Sequence, residues 1–295
     1  MPVQFVGLGA AKAGTTWLAD NLRKHPAVFI PKIKEVHYFN PFMPWSPKVA
    51  NHRRLNPVNW YEEFFKPALP DQLCGEFSVM YLHQPGVPQA IHQYNPDAKL
   101  IIMLREPVSR EFSLYKYYLQ YGVLTSPSFE HALENHPELF YTSKYADYLN
   151  DWYQFFEPRQ ILILWYDDVR SHPEKVWDAT LAHLGLSYYY PNDLTKQSNI
   201  TGSSKFAFVN RFVAGSQAFI HKNGLQKILP LLHKTGIVRL AELIAKKNIS
   251  TQKKGQTAPL PQTAAALYQY YAHDIAQLEQ ITGRDLSAWK KHEQK

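Results

Sequence analysis

One segment near the N-terminal end of the chain limits the possible folds more than any other. A short apolar run with glycines, VQFVGLG over residues 3–9, leads through a loop into a helix-like segment, TTWLADNLR over 15–23. In a strand–loop–helix unit of this kind, N–H groups of the loop and of the first helical turn face a bound anion. Gly14 allows the backbone to approach that anion closely. We therefore predict a phosphate-binding loop around residues 12–17.

The loop nearly matches the nucleotide-binding pattern G-x-x-x-x-G-K-[ST], with Gly9 and Gly14 as its glycines. Thr15 stands where the pattern has lysine, and Lys12 lies inside the loop instead. The position of this lysine bears on whether the site transfers a phosphoryl or a sulfuryl group. A P-loop kinase or NTPase, which needs the lysine after Gly14 and a carboxylate for Mg²⁺, is kept as the alternative.

Strand-like and helix-like segments alternate along the first two thirds of the chain. The strand-like runs cover 4–9, 73–78, 99–104 and 160–165, and the helical patterns cover 15–24, 59–65, 87–94, 108–121, 145–156 and 173–184. This alternation predicts an α/β fold with a central parallel β-sheet flanked by helices. Ligands of such sheets bind outside the carboxyl ends of the strands. Lys12, Ser78 and Arg105 lie at or just past such ends, so we expect them to converge.

Charge and cysteine content narrow the range of possible ligands and of possible metal and disulfide sites. The net charge of +7 comes without any run of five Lys or Arg residues, which favours a polyanionic small molecule over nucleic acid. The single cysteine, Cys74, excludes an internal disulfide and a multi-cysteine metal site. No signal peptide precedes the first strand, and no apolar run approaches the roughly 20 residues that span a bilayer. We expect a cytoplasmic protein without membrane insertion.

Two further segments are suited to binding anions. In LIIMLREPVSREFS, over 100–113, Arg105 follows an apolar strand and can grip a phosphate with its planar guanidinium, while Ser113 can add a hydroxyl. Arg105 could equally pair with Glu106 or Glu111 at the surface. The second segment is a basic loop, KKGQT, over 253–257.

Taken together, the three segments resemble the sulfotransferases that use 3′-phosphoadenosine 5′-phosphosulfate (PAPS). The following residues are similar to their 5′-phosphosulfate loop: Lys12, Ala13, Gly14, Thr15, Thr16 and Trp17. Arg105 and Ser113 lie in a segment that looks like the 3′-phosphate segment, and Tyr166 follows a strand like the one whose tyrosine touches adenosine. The late loop that closes over the nucleotide is matched by Lys254, Gly255, Gln256 and Thr257.

This resemblance, which runs from about residue 3 to 289, implies a P-loop NTPase-like sulfotransferase fold of the bacterial type. It also implies PAPS as the donor and 3′,5′-adenosine bisphosphate (PAP) as the product. A sulfuryl group carries less negative charge than a phosphoryl group, so we expect no requirement for a metal. We assign Lys12 to the stabilisation of the transition state, where it bridges the 5′-phosphate and the leaving oxygen.

The candidate bases lie in KIKEVHYF, over 32–39. This string resembles the Glu-x-His-Phe-Phe segment of glycan sulfotransferases, which implies that Glu35 is the base. His37 is the other candidate, because an imidazole suits proton transfer near neutral pH. Both residues alternate with apolar ones, so we expect them on the same side of an extended segment.

The acceptor site matches no group of the family fully. Glycan enzymes often have Glu-Lys-Ser/Thr-Pro where this chain has Glu76-Phe77-Ser78, so Phe77 replaces a lysine that Lys32 or Lys34 could substitute. We expect the acceptor to be a hydroxyl or an amine of a small or medium organic molecule such as a natural product, with a carbohydrate as the alternative. A non-catalytic nucleotide- or glycan-binding protein is the third class considered.

The organisation of the chain is predicted to be a single domain, 1–295, because no flexible linker, repeat or low-complexity segment interrupts it. From about residue 197 the pattern changes to helices over 203–219 and 225–247, a polar break over 248–257 and a final helix over 262–282. We expect 197–250 to form a helical cover over the acceptor side.

Overall fold

The computed structural model describes residues 3–43, 46–195, 203–204, 249–250 and 256–290. The chain divides into two compact units. The first comprises Met1–Arg110, Tyr141–Asn199 and Ala265–Lys295, and the second comprises Glu111–Phe140 and Ile200–Ala264. A single-domain organisation stays a prediction.

The elements of the described residues follow the expected alternation. The strands are β1 (Phe5–Gly9), β2 (Val28–Phe29), β3 (Phe42–Met43), β4 (Ser46–Ala50), β5 (Leu73–Phe77), β6 (Lys99–Leu104), β7 (Ile161–Trp165), β8 (Ser203–Ser204) and β9 (Ile249–Ser250). The α-helices are α1 (Thr15–Leu22), α2 (Val58–Glu62), α3 (Val87–Tyr94), α4 (Pro107–Tyr121), α5 (Phe129–Asn135), α6 (Tyr145–Tyr153), α7 (Tyr166–Ser171), α8 (Pro173–Leu184), α9 (Pro261–Thr282) and α10 (Ser287–Lys290).

The first unit is built on a five-stranded sheet in the order β2-β5-β1-β6-β7. Every pairing within it is parallel. All five residues of β1 are buried, as expected for a strand covered by helices on both faces of a parallel sheet. The central parallel sheet predicted from the alternating pattern is confirmed, and β1 and β6 end side by side at the edge where ligands bind.

Glycine and phenylalanine alternate in the register between β1 and β5. Phe5 lies opposite Gly75, and Gly7 lies opposite Phe77. A Cβ atom on Gly7 would come within 1.9 Å of the Phe77 ring, and one on Gly75 within 2.2 Å of the Phe5 ring. Each ring therefore occupies the space that the glycine on the neighbouring strand leaves open. Phe77 is fully buried in this packing.

Several short elements lack a clear signal in the sequence, namely β2, the β3–β4 hairpin, α5, α7 and α10. In the second unit, β8 pairs with β9 in antiparallel orientation. The expectation of a helix from Ser203 is therefore wrong at Ser203 and Ser204, and β9 lies within the predicted polar break over 248–257. Serine and the β-branched isoleucine are both weak helix formers, which is consistent with the strand pairing. The rest of the predicted 197–250 cover lies outside the described residues.

Aromatic packing organises the described part of the second unit. The Phe129 ring is fully buried, and its centroid lies 5.3 Å from that of Phe112, 5.5 Å from Tyr115 and 5.9 Å from Phe140.

Across the ranges that the structure describes, none of the helices has both the length and the apolar character needed to cross a membrane.

Candidate active site

The loop between β1 and α1 has the backbone geometry of an anion-binding turn. Gly14 adopts φ 98°, a left-handed conformation that favours glycine, and directly precedes α1. No side chain caps α1, and its first turn holds no acidic residue, so its first N–H groups face the loop without a competing carboxylate. Lys12 also has a positive φ, 67°. Two left-handed residues within three positions fold this loop into a tight turn.

Arg105 lies where β6 ends and connects this loop to α7. Its Nη1 donates a hydrogen bond of 3.1 Å to the carbonyl of Lys12, and its guanidinium carbon lies 4.6 Å from the centre of the Tyr166 ring. Tyr166 in turn lies beside Gly14, since a Cβ atom there would come within 3.3 Å of Tyr166 Cδ2. Of the three residues that we expected to converge, Lys12 and Arg105 are therefore in contact, whereas Ser78 hydrogen-bonds to Glu76 and to the amide of His37.

The carboxylate of Glu106, the alternative partner considered for Arg105, binds backbone amides of α4 instead. That carboxylate accepts hydrogen bonds of 2.7 Å from both Val108 N and Ser109 N. It thereby satisfies two of the free N–H groups at the start of α4.

A second arginine supports the loop, and our sequence reasoning overlooked it. Arg110, in α4, is buried, and its Nη1 donates a hydrogen bond of 3.3 Å to the carbonyl of Ala11. Its Nε donates to Ser143 Oγ at 2.7 Å, and its Nη2 to Thr142 Oγ1 at 2.6 Å. The sequence signal that could have identified it is a second arginine five residues after Arg105, in the same anion-binding segment.

Lys34 joins the start of α1 to the candidate base. Its ammonium lies 3.2 Å from Thr16 Oγ1 and 3.4 Å from Thr15 Oγ1. The same ammonium lies 3.0 Å from Glu35 Oε1, with 14% of the Lys34 side chain exposed and 32% of the Glu35 side chain. Burial raises the pKa of Glu35, but the positive charge of Lys34 and a hydrogen bond from His37 outweigh it and lower the pKa to about 2.

His37 is buried between Glu35 and Asn40. Its Nε2 lies 3.1 Å from Glu35 Oε2, and its Nδ1 lies 3.0 Å from Asn40 Nδ2. Because an amide nitrogen only donates, Nδ1 accepts here and Nε2 carries the hydrogen that faces Glu35. His37 has φ 55° and no strand includes residues 34–40, so the expected extended segment is wrong. The two side chains meet because the backbone turns at His37.

Trp17 requires a correction. We expected its ring to offer a face for stacking a base, but Trp17 is only 5% exposed and its indole N–H donates to the carbonyl of Leu194 at 2.8 Å. An indole so enclosed anchors α1 within the first unit. α1 is amphipathic, and position 17 falls on its inner face.

The remaining predicted donor residues are not tested by this geometry. Ser113 is a buried residue of α4 in the second unit. Gln256, also in the second unit, donates to both oxygens of Glu130 at 3.1 Å and accepts from Phe129 N at 2.9 Å. Thr257 is exposed, and Lys254 and Gly255 lie outside the described residues. Within the described ranges, no three His, Cys, Asp or Glu side chains are grouped as a metal site would require.

The chain matches a known protein family. The sulfotransferase domain family matches residues 4–210, which is more than half of the chain. The chain belongs to the sulfotransferase family.

Individual relatives share part of the chain. The membrane-associated sulfotransferase kil1 of Dictyostelium discoideum is 32% identical over 135 residues, which cover 44% of this chain and 26% of that protein. The bifunctional heparan sulfate N-deacetylase/N-sulfotransferase 3 of Mus musculus is 29% identical over 220 residues, 66% of this chain and 24% of that protein. The matched parts thus span about a quarter of each relative.

The crystal structure of a sulfotransferase from Alicyclobacillus acidocaldarius has the same fold. It matches with a TM-score of 0.68 at 24% identity, covering 99% of this chain and 100% of the other.

Proposed function

We propose that this protein transfers a sulfuryl group from PAPS to a hydroxyl or an amine of an organic acceptor. The observation that carries the proposal is the arrangement around the β1–α1 loop. Arg105 links its guanidinium to Lys12 and the Tyr166 ring, while Lys34 connects the start of α1 to Glu35. Donor-binding groups and a candidate base thus surround one loop.

The groups around the loop fit the donor in three ways. The open first turn of α1 and the hydroxyls of Thr15 and Thr16 suit the 5′-phosphosulfate. Arg105 presents a planar guanidinium for the 3′-phosphate. Tyr166, already covered on one face by Arg105, offers an aromatic contact for the adenosine. Gly14 keeps open the space that a side chain would fill beside Tyr166.

The chemistry we propose is a single in-line displacement at sulfur. The acceptor oxygen or nitrogen forms a bond to sulfur while the bond from sulfur to the bridging oxygen breaks, and that electron pair leaves on the 5′-phosphate of PAP. Lys12 stabilises the charge that develops on the leaving oxygen. Lys34, with its ammonium between the α1 hydroxyls and Glu35, supplies the second positive charge that Phe77 does not provide.

The acceptor proton passes to Glu35 in this proposal. Glu35 keeps 32% of its side chain accessible, whereas His37 keeps 5% and has both ring nitrogens in hydrogen bonds. A carboxylate with a pKa of about 2 is a weak base. It is nevertheless adequate here, because the acceptor proton becomes strongly acidic as the bond to sulfur forms. His37 holds the carboxylate in place.

The acceptor class is proposed from two observations. Phe42, an exposed aromatic residue seven positions after Glu35, suits a small or medium organic molecule. A carbohydrate is the second candidate, because one matched relative is named for its action on heparan sulfate.

The P-loop kinase alternative is disfavoured by Thr15, which occupies the lysine position of that pattern. On the evidence of the single Cys74, we expect the protein to work in the cytoplasm.

Calorimetry with PAP and transfer of labelled sulfate from PAPS to an acceptor panel test the proposal. We expect micromolar or tighter binding of PAP, and a loss of turnover of about 10³-fold or more in Lys12→Ala. Lys66→Ala, which removes an exposed lysine paired with Glu63 and outside the loop, is the matched control and should keep its activity. No binding of PAP would refute the donor assignment. Magnesium-dependent binding of ATP would favour the kinase class, and binding without turnover would favour a non-catalytic protein.

A further inference from the structure

Glu76, near the end of β5, is a fully buried carboxylate with four hydrogen-bond partners. Its Oε2 accepts from Val36 N at 3.1 Å and from Ser78 Oγ at 2.6 Å. Its Oε1 accepts from the hydroxyls of Tyr61 and Tyr81, each at 2.9 Å. We call Glu76, Ser78, Tyr61 and Tyr81 the carboxylate network, and residues 34–40 the base loop.

The direction of each hydrogen bond in this network is determined by its neighbours. Ser78 Oγ accepts from His37 N at 2.9 Å, and Tyr81 OH accepts from Phe39 N at 3.2 Å. Each hydroxyl carries one hydrogen, and the distances to Glu76 assign that hydrogen to the carboxylate. With all four partners donating, Glu76 acts as a hydrogen-bond acceptor in this network.

A buried carboxyl group of this kind is stable only where hydrogen bonds compensate for lost hydration. Burial raises the pKa of Glu76 above its ordinary value, and the hydrogen bonds from Ser78, Val36 and the two tyrosines only partly offset that rise. Removing one donor therefore leaves a buried acceptor without its partner, which costs more than the bond itself is worth.

The base loop depends on this network at three backbone amides. Val36 N binds the carboxylate directly, while His37 N and Phe39 N reach it through the hydroxyls of Ser78 and Tyr81. Between these amides, His37 adopts φ 55°, a conformation that residues with a side chain seldom adopt. Such a conformation is maintained by the contacts around it. Here it directs the imidazole to Glu35.

We propose that Glu76, Ser78 and Tyr81 are positioning residues for the base, and that they act by fixing the amides of the base loop. The inference rests on the proposed function in that Glu35 is taken as the base. Its geometric part, the dependence of the loop on two buried hydroxyls, concerns folding of the loop alone and can be measured without turnover.

The chain provides its own matched control for this proposal. Tyr61 and Tyr81 are both fully buried, and each donates to the same carboxylate oxygen at 2.9 Å. Of these two tyrosine hydroxyls, only that of Tyr81 also accepts a hydrogen bond from a base-loop amide within the part of the chain that the structure describes. Tyr61→Phe and Tyr81→Phe thus remove equivalent bonds to Glu76, but only the second removes the partner of Phe39 N–H.

The experiment compares Ser78→Ala, Tyr81→Phe and Tyr61→Phe with the wild-type protein. We expect kcat to fall about ten-fold or more in the first two and less than about three-fold in Tyr61→Phe, since misplacement of a base acts on kcat. The Kd for PAP should stay within about two-fold throughout, because the donor residues are untouched. Ser78→Thr, which keeps the hydroxyl, should recover most of the activity lost in Ser78→Ala.

Two further readouts separate positioning from a general loss of stability. The acid limb of the kcat–pH profile should move to higher pH in Ser78→Ala and Tyr81→Phe, because a displaced Glu35 loses its contacts with Lys34 and His37. Hydrogen–deuterium exchange over 34–40 should increase in these two variants and not in Tyr61→Phe, whether or not an acceptor is known.

Equal losses of kcat and equal exchange in Tyr61→Phe and Tyr81→Phe would overturn the proposal, since the network would then be merely structural. Full activity of Glu35→Gln would instead contradict the assignment of the base. If Glu35→Gln is inactive while Ser78→Ala and Tyr81→Phe behave like wild type, the positioning role fails and the proposed base stands.

Discussion

Lys34 offers the sharpest test of the electrostatics in the candidate site. Its ammonium lies 3.0 Å from Glu35 Oε1, and only 14% of its side chain is exposed. Lys34→Met keeps an unbranched apolar stem of similar length and removes the charge. Lys32→Met is the matched control, because Lys32 has the same side chain two positions earlier but is exposed.

The expected size of the effect follows from the pKa of Glu35. The positive charge of Lys34 is the largest of the influences that lower this pKa from 4.5 to about 2. Without it, burial is opposed mainly by His37, so the pKa should return toward 4.5. At pH 3.5 a carboxylate with a pKa near 2 is about 97% ionised, whereas one with a pKa near 4.5 is about 9% ionised.

A base must be ionised to accept a proton, so activity falls as the pH drops through its pKa. For each protein we compare the rate at pH 3.5 with the rate at pH 7. This ratio should be about ten-fold lower in Lys34→Met than in the wild-type protein. Initial rates at saturating PAPS between pH 3.5 and 8 measure this, with circular dichroism at each pH to verify folding. The comparison uses the midpoint of the acid limb, so a uniform loss of rate from weaker donor contacts does not affect it.

An unchanged acid limb in Lys34→Met, or an equal shift in Lys32→Met, would refute this reasoning about Glu35. An acid limb near pH 6.5 in the wild-type protein would also contradict it, because an imidazole base titrates in that range.

Two other predictions concern packing and donor binding. Gly7→Ala places a methyl group 1.9 Å from the Phe77 ring, so we expect a loss of about 1–3 kcal/mol in the free energy of unfolding, measured in urea. The loss should shrink in a Phe77→Leu background, and an equal loss there would contradict the clash. Arg105→Lys cannot keep the planar guanidinium that binds the Lys12 carbonyl, so the Kd for PAP should rise about ten-fold or more by calorimetry. Arg159→Lys, at an exposed arginine, should leave that Kd unchanged.

The larger elements were predictable because their signals are local. The strand Lys99–Leu104 and the helices Val87–Tyr94 and Pro173–Leu184 have the bounds expected from their apolar patterns. The two-residue strand Val28–Phe29 was not predicted, because so short a strand is defined by its pairing with Leu73–Cys74 rather than by any periodicity.

Within the site, the sequence was informative about residue types and less so about their surroundings. Trp17 illustrates the limit, because the same indole could stack on a base or fill the core, and its burial against Leu194 depends on a residue 177 positions away. Glu35 and His37 were expected together for the wrong reason. They meet through a left-handed turn at His37, which no alternation of polar and apolar residues indicates.

The order of strands and helices, the anion-binding loop with Lys12 and Gly14, and the family all follow from the linear sequence, because each is encoded by neighbouring residues. The contact of Arg105 with Lys12, the position of Lys34 beside Glu35 and the attachment of the base loop to Glu76 were decided only by the tertiary structure. Each of these brings a charge to a place whose energy depends on burial and on partners from distant segments.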